Sequence, residues 1–156
     1  DPHAADRVFT AGWKLTMVGL DVTHRVVVTL EQFRRIADKH QHPATDALFT
    51  AVDFYARFYS GLYKHIARTP GCFAHDLLAF VYLVRPDLFE LETKSVRVAT
   101  DGLAQGQTIM NRRDFIQYPQ PGWEKDKPRT QVCMQVDAPA TIALFEETML
   151  GSWLGG

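Results

Sequence analysis

The spacing of apolar residues changes along the chain between the patterns typical of strands and of helices. Nearly continuous apolar residues over Lys14–Asp21 favour a strand in a sheet that is covered on both faces. Apolar residues three and four positions apart predict helices over Leu30–Lys39 and Ala44–Tyr63. The apolar stripe predicted for the second helix comprises Leu48, Val52, Tyr55, Phe58, Tyr59 and Leu62. The other predicted elements are helices over Pro2–Ala11, Asp76–Arg85 and Pro139–Leu150, and strands over Ser95–Thr100, Gln107–Asn111 and Gln131–Val136.

Residues typical of helix and strand ends support these elements, and the order of the elements predicts an α/β fold. Thr29 and Gln32 have the spacing of a capping box, in which each side chain bonds the other residue's backbone. The two strands on either side of the Gly102–Gly106 turn pair most simply as an antiparallel pair. Strands that alternate with helices predict a sheet flanked by helices. The proline-rich stretch Gln117–Arg129 reads as an exposed loop.

Composition narrows the class of protein. A length of 156 residues allows one domain with a real core, and 46% apolar residues are ordinary for a globular protein. A net charge of −1 gives no electrostatic signature of nucleic-acid binding. The longest apolar run, Leu77–Val84, is far too short to span a membrane. Cys72 and Cys133 fit no zinc spacing and read as reduced thiols, so a cytoplasmic protein is expected.

The most informative stretch is Gly71–Ala79, where a glycine-led loop ends at His75-Asp76 and an apolar helix follows. An aspartate favours a helix start because its carboxylate suits the unpaired amides and the positive end of the helix dipole. The pair therefore places a proton donor and an oxygen ligand at the rim of a packed core. The alternative is that Asp76 is only a cap and His75 an ordinary loop residue.

Two further motifs join this one. The chain opens with Asp1-Pro2-His3-Ala4-Ala5 and continues with Met17-Val18-Gly19-Leu20-Asp21-Val22-Thr23. In this order the three motifs resemble the C-terminal half of the inosine–uridine nucleoside N-ribohydrolase family, over essentially all 156 residues. The resemblance implies the C-terminal portion of an open, mostly parallel sheet, with residues 1–156 as part of a single domain.

The family's aspartate-rich calcium motif, DxDxxxDD in form, and its ribose-binding asparagine and glutamate are missing. The chain therefore resembles a piece of a longer protein or of a divided enzyme. The expected partners are the missing N-terminal half, on the same or a separate chain, and further copies in a homo-oligomer. No nucleic acid or membrane is expected as a partner.

The resemblance also implies roles for the His-Asp pair. Asp76 would be a ligand of Ca²⁺, and His75 the acid that protonates the base leaving a nucleoside or related N-riboside. We expect the helix N-terminus and a nearby calcium ion to lower the pKa of His75. Tyr59, Tyr63 and His65 could line the base pocket. Their alternative is that the tyrosines are core residues and His65 is solvated.

Several alternatives remain open. Asp21 and Thr23 would end the first strand, where they either contact a ligand or form a buried polar pair that fixes a turn. His24 is a weaker candidate for the rim of the site. The whole chain could instead be a non-catalytic binding or scaffolding domain that keeps the fold. A metal phosphohydrolase with a His-Asp dyad is disfavoured by the strand-rich second half.

Overall fold

The computed structural model describes residues 1–64, 70–113, 115–116, 122–123 and 128–151. Its α-helices are α1 (Pro2–Thr10), α2 (Leu20–Thr23), α3 (Leu30–His40), α4 (Pro43–Leu62), α5 (His75–Val84) and α6 (Ala138–Leu150). Its strands are β1 (Thr16–Met17), β2 (Val27–Thr29), β3 (Gly71–Phe73), β4 (Phe89–Lys94), β5 (Val96–Val98), β6 (Thr108–Met110) and β7 (Thr130–Val136). The alternation of strands and helices confirms the predicted α/β class.

The strands form one sheet of three and two antiparallel pairs. The sheet has the order β1–β7–β4, and β1 runs parallel to β7 with Thr16 opposite Gln131. This pairing confirms the predicted parallel character. The predicted antiparallel pair is also confirmed, because Val96 of β5 lies opposite Met110 of β6. Within the described residues, none of the helices combines the length and hydropathy needed to cross a bilayer.

By its internal contacts the chain divides into two units. The first comprises Asp1–Gly19 and Glu90–Met134, and the second comprises Leu20–Phe89 and Gln135–Gly156. That the whole chain belongs to a single domain stays a prediction. In the first unit, both carboxylate oxygens of Asp6 accept hydrogen bonds of 2.7 Å from the Arg97 guanidinium. This two-point contact fastens α1 to β5.

The strand predicted over Lys14–Asp21 is mostly wrong. Only Thr16–Met17 forms a strand, and Leu20–Thr23 forms the short helix α2. The His24 amide donates to the Leu20 carbonyl at 2.9 Å and so closes a helical turn. A short apolar run has no periodicity that separates a strand from a buried helical turn. Asp21 and Thr23 therefore do not end a strand.

The second unit is built around the pair β2–β3 and the helices that cover it. The predicted capping box is present at the start of α3, and Asp137 and Gly151 begin and end α6 as expected. The predicted apolar face of α4 is only partly right. Its buried residues are Thr45, Val52, Ala56 and Tyr59, whereas Leu48, Tyr55, Phe58 and Leu62 are exposed. Besides Val52 and Tyr59, the core-facing residues are the small Thr45 and Ala56, which hydropathy alone does not indicate.

Candidate functional site

The antiparallel pair β2–β3 brings two distant motifs to one place. Val27 lies opposite Phe73, so the residues just before β2 and just after β3 meet at the same end of the pair. The Ala74 amide extends the ladder with a 3.3 Å bond to the Val26 carbonyl. The end of α2 therefore lies beside the start of α5. This is how Thr23 meets a residue 52 positions away in sequence.

Gly71 makes this pairing possible. A Cβ atom at this position would lie 2.5 Å from the Val28 carbonyl oxygen and 3.0 Å from the Thr29 Cα. Both atoms belong to the backbone of β2, which cannot move away without breaking the ladder. Only glycine allows such a close approach. The glycine that leads the His-Asp loop thus sets the position of His75.

His75 has a hydroxyl partner at each ring nitrogen. Thr23 Oγ1 lies 2.7 Å from Nδ1, and Tyr59 Oη lies 3.1 Å from Nε2. Thr23 and Tyr59 are both buried. A neutral imidazole donates from one nitrogen and accepts at the other, whereas an imidazolium donates from both. Since hydroxyls can donate or accept, the arrangement holds the ring in one orientation in either protonation state.

Several aromatic rings lie close to His75 and to one another. The ring centroid of His24 lies 5.3 Å from that of His75 and 4.4 Å from that of Phe73. Tyr63 lies 5.8 Å from His24 and 5.2 Å from Phe73. Flat apolar faces with a few polar tips are typical of small-molecule sites that take aromatic ligands. The site therefore combines a fixed imidazole with a ring-lined wall.

Burial sets the acidity of the two central groups. The pKa of His75 is lowered from 6.5, first by burial and then by the nearby His24, while the Asp76 carboxylate opposes the shift. The direction is the one expected from sequence, but here the causes are burial and a second histidine. Burial together with a hydrogen bond to Tyr55 raises the pKa of Tyr59 to about 12. Tyr59 is therefore a neutral phenol at pH 7.

Asp76 does not cap its helix. Helix α5 begins at His75, one residue earlier than predicted, and its N-cap is Ala74, which makes no side-chain capping bond. Asp76 is the second residue of the helix and is exposed. The alternative in which Asp76 serves only as a cap is therefore wrong. Its carboxylate stands at the positive end of the helix dipole, where a negative charge is stabilised.

The structure brings most of the predicted site residues together. Tyr59 is at once a core residue and a direct partner of His75, so its two alternatives are not exclusive. Tyr63 packs against the same core cluster. His65 lies outside the described residues. Asp21 is exposed, and its backbone carbonyl accepts a hydrogen bond from Arg25, so it forms no buried pair with Thr23.

Two contributors were not recognised from sequence in their actual roles. Thr23 was expected near the site, but not as the partner of His75, and Phe73 was not expected there. The signal for Thr23 was available: it is the last residue of the Leu20–Thr23 motif, and a threonine beside a buried imidazole supplies the hydroxyl that the ring needs. No pattern in the sequence singles out Phe73.

Comparison with solved structures defines the class of protein. The plant nucleoside hydrolase PpNRh1 superposes with a TM-score of 0.83 and 27% identity, over 97% of this chain and 46% of that one. A purine-preferring ribonucleoside hydrolase from Gardnerella vaginalis gives a TM-score of 0.80 and 30% identity, over 97% and 44%. The fold is therefore that of the nucleoside hydrolases.

Sequence comparison then gives the family. The model of inosine-uridine preferring nucleoside hydrolases matches residues 1–143. A probable uridine nucleosidase 2 from Arabidopsis thaliana is 30% identical over 152 residues, which are 97% of this chain and 45% of that protein. The chain belongs to the inosine-uridine preferring nucleoside hydrolase family. It spans about half the length of the curated relatives that it matches and corresponds to their C-terminal part.

Proposed function

We propose that the complete protein is a calcium-dependent hydrolase that cleaves the N-glycosidic bond of ribonucleosides, and that this chain supplies His75 and Asp76. The observation that carries the proposal is the pairing of an oriented, partly buried imidazole with an exposed carboxylate at the start of α5. Family membership supports it, since the matched relatives are named as nucleosidases or nucleoside hydrolases.

A carboxylate is a suitable ligand for calcium, but a single carboxylate is too few to hold the ion. Calcium takes six to eight oxygen ligands, and Asp76 offers at most two. In the described part of the chain, no three His, Cys, Asp or Glu side chains come together as a metal site. The remaining ligands must therefore come from elsewhere in the complete protein. A calcium ion held there would supply the contacts that gather the ribose hydroxyls and the water.

His75 is the proposed general acid. The transition state of glycosidic cleavage resembles an oxocarbenium ion, and the departing base is a poor anion that benefits from a proton. The lowered pKa makes the imidazolium a stronger acid but reduces its population at pH 7. Thr23 and Tyr59 each hold one ring nitrogen of His75, so donation to the base requires a substrate atom to replace one of these two hydroxyl contacts.

The proposed substrate is a nucleoside or a related N-riboside, with its base against the partly exposed rings of Tyr63 and His24. The relatives differ in the bases that their names specify, including uridine and purines. The proposed partner is the missing N-terminal half, on the same or a separate chain, and the complete protein is expected to be a homo-oligomer. The 156-residue chain alone should hydrolyse neither inosine nor uridine, because it lacks most of the calcium ligands.

The decisive experiment compares two leaving groups in the complete protein. His75→Ala should slow inosine hydrolysis by about 10² to 10⁴, yet leave hydrolysis of a nitrophenyl riboside almost unchanged, because that aglycone departs without a proton. His3→Ala, an exposed histidine in α1, is the matched control and should alter neither rate. An equal loss on both substrates would remove His75 from the role of acid.

Calcium titration tests the other half of the site. Asp76→Asn keeps the size of the side chain but removes its charge, and should weaken calcium binding about tenfold or more. Asp38→Asn, an exposed carboxylate in α3, should leave the affinity as it is. Unchanged affinity in the Asp76 variant, together with no turnover by the complete protein, would favour the non-catalytic binding domain.

A further inference from the structure

Helix α4 has an exposed apolar face in addition to the face that packs on the core. The core face is defined by the buried residues Thr45, Val52, Ala56 and Tyr59. Most polar side chains follow a second line along the helix, at Asp46, Thr50, Asp53, Arg57 and Ser60. Because residues three and four positions apart share one face of a helix, these two lines leave a third face between them. That third face is apolar.

The third face carries a heptad pattern. Its residues follow one another at alternating steps of four and three positions, and all six are exposed: Ala44, Leu48, Ala51, Tyr55, Phe58 and Leu62. We call these six residues the α4 seam. The spacing is typical of a helix that packs lengthwise on a second helix. The seam is about 27 Å long, and its large residues Phe58 and Leu62 are 55% and 60% exposed.

No charged residue interrupts the α4 seam. The charged residues of α4 are Asp46, Asp53 and Arg57, and all three lie on the polar face. Asp53 and Arg57 form an ion pair with each other at 2.7 Å. The centre of a stable interface is depleted of charge, whereas its rim is polar. The composition of the seam therefore suits a buried contact with another helix.

The two ends of the α4 seam differ in side-chain size. The N-terminal half has Ala44 and Ala51 on either side of Leu48, whereas the C-terminal half consists of three large residues. Large side chains fill space best when they face small ones on the neighbouring helix. An antiparallel copy of the helix meets this condition, because its large half would lie on the small half. A parallel copy would set Tyr55 against Tyr55 and leave Ala51 facing Ala51.

We propose that the α4 seam binds the same seam of a second copy of the chain, with the two helices antiparallel about a two-fold axis. A two-fold contact requires a self-complementary surface, and the small and large halves of the seam provide one. The inference is independent of the proposed chemistry, since it involves neither calcium nor a nucleoside. In this pairing Leu48 packs on the partner's Phe58, Ala51 on the partner's Tyr55, and Ala44 on the partner's Leu62.

The α4 seam lies next to the residues that hold His75. The ring centroids of Tyr55 and Phe58 lie 4.9 Å and 5.7 Å from that of Tyr59. The Tyr59 hydroxyl in turn lies 3.1 Å from Nε2 of His75. A second copy on the seam would therefore hold in place two of the rings that pack on Tyr59.

A pair of arginine substitutions tests the surface. Ala51→Arg places a charge in the middle of the seam, whereas Thr50→Arg places the same side chain one residue away on the polar face. Both positions are exposed and arginine is a good helix former, so both variants should unfold like the parent chain, as circular dichroism would check. Sedimentation equilibrium should show a parent dimer that Ala51→Arg weakens at least about 100-fold, because the arginine would bury an unpaired charge. Thr50→Arg should leave the dimer intact.

Disulfide cross-linking tests the direction and register of the pairing. Leu48→Cys and Phe58→Cys are prepared as separate chains. The antiparallel pairing predicts a cross-linked dimer when the two variants are mixed and oxidised, but not with either variant alone. Phe80→Cys, at an exposed position of α5, is the control and should not cross-link to Leu48→Cys. The native Cys72 and Cys133 are buried and should not compete.

Three results would overturn the proposal. The first is a parent chain that stays monomeric at every concentration. The second is a dimer that Ala51→Arg leaves intact, or that Thr50→Arg disrupts equally. The third is a Leu48→Cys chain that cross-links to itself, or to Phe80→Cys, as readily as to Phe58→Cys. None of these measurements involves hydrolysis, so the proposed function is tested separately.

Discussion

The bond between Thr23 and His75 is the contact on which the orientation of the imidazole depends. Thr23→Val removes the hydroxyl with almost no change in shape, so it opens no cavity in the core. A hydrogen bond of this kind contributes about 0.5–1.5 kcal/mol net, and an unpaired buried polar atom costs about 1–3 kcal/mol. His75 is only half-buried, so water can reach its ring and the lower ends of both ranges apply.

A double-mutant cycle isolates this bond from other effects. We expect Thr23→Val to lower the free energy of unfolding by about 1–2 kcal/mol. In a His75→Ala background it should cost about 1 kcal/mol less, because the partner is already gone. Urea unfolding of the four proteins, at neutral pH with a chelator present, provides the measurement.

A second double-mutant cycle, on two residues that make no contact, serves as the control. Thr16→Val removes a hydroxyl that donates to Gln131 Oε1 at 3.1 Å in the first unit. Combined with His75→Ala, it should be additive within about 0.5 kcal/mol. If the Thr23 cycle is equally additive, the 2.7 Å contact does not hold His75 in its orientation.

Three further predictions concern the same loop. Gly71→Ala should destabilise the chain by about 1–3 kcal/mol through overpacking against β2. Gly61→Ala in α4, whose Cβ would meet nothing within 4 Å, should be neutral or stabilising. Equal effects of the two changes in urea unfolding would contradict the close approach of Gly71 to β2. Tyr59→Phe keeps the buried ring but removes the bond to Nε2, so it should cost about 1 kcal/mol and shift the nitrogen NMR signals of His75; unchanged signals would show that the bond is absent. The pKa of His75 is lowered from 6.5 in the folded chain, so the unfolded chain binds the proton more readily. The contribution of His75 to stability is therefore full above about pH 6.5 and is lost as the pH falls toward the folded pKa. The difference in unfolding free energy between His75→Gln and the parent should show this dependence, and a pH-independent difference would refute it.

Local signals in the sequence predicted the elements whose boundaries are set by their own residues. The Thr29–Gln32 capping box, the Asp137 cap and the glycine turn between β5 and β6 all depend on contacts within a few positions. Such contacts involve only neighbouring residues, so they form regardless of how the rest of the chain packs. They required no knowledge of how distant segments pack.

The predictions that failed concern features that are determined by tertiary packing. The apolar run over Lys14–Asp21 suits a strand and a buried helical turn equally, and the turn at Leu20–Thr23 is what brings Thr23 under His75. On α4 the hydropathy pattern assigned Tyr55 and Phe58 to the core, but small Ala56 faces inward instead. His75 and Asp76 are adjacent in the sequence, whereas the contact of His75 with Thr23, across 52 residues, exists only through the β2–β3 register.

At the start of α5 the sequence prediction also failed, because Asp76 does not cap the helix. An aspartate two residues earlier, at position 74, would cap the helix and stabilise it by about 1 kcal/mol, but the cap position holds alanine, a poor capping residue. The carboxylate stands instead at the second helical position, exposed beside an imidazole that two buried hydroxyls hold in place. Departures from local rules in natural proteins concentrate at functional sites. A carboxylate that makes no capping bond to its own helix is available to a cation, as the proposed function requires.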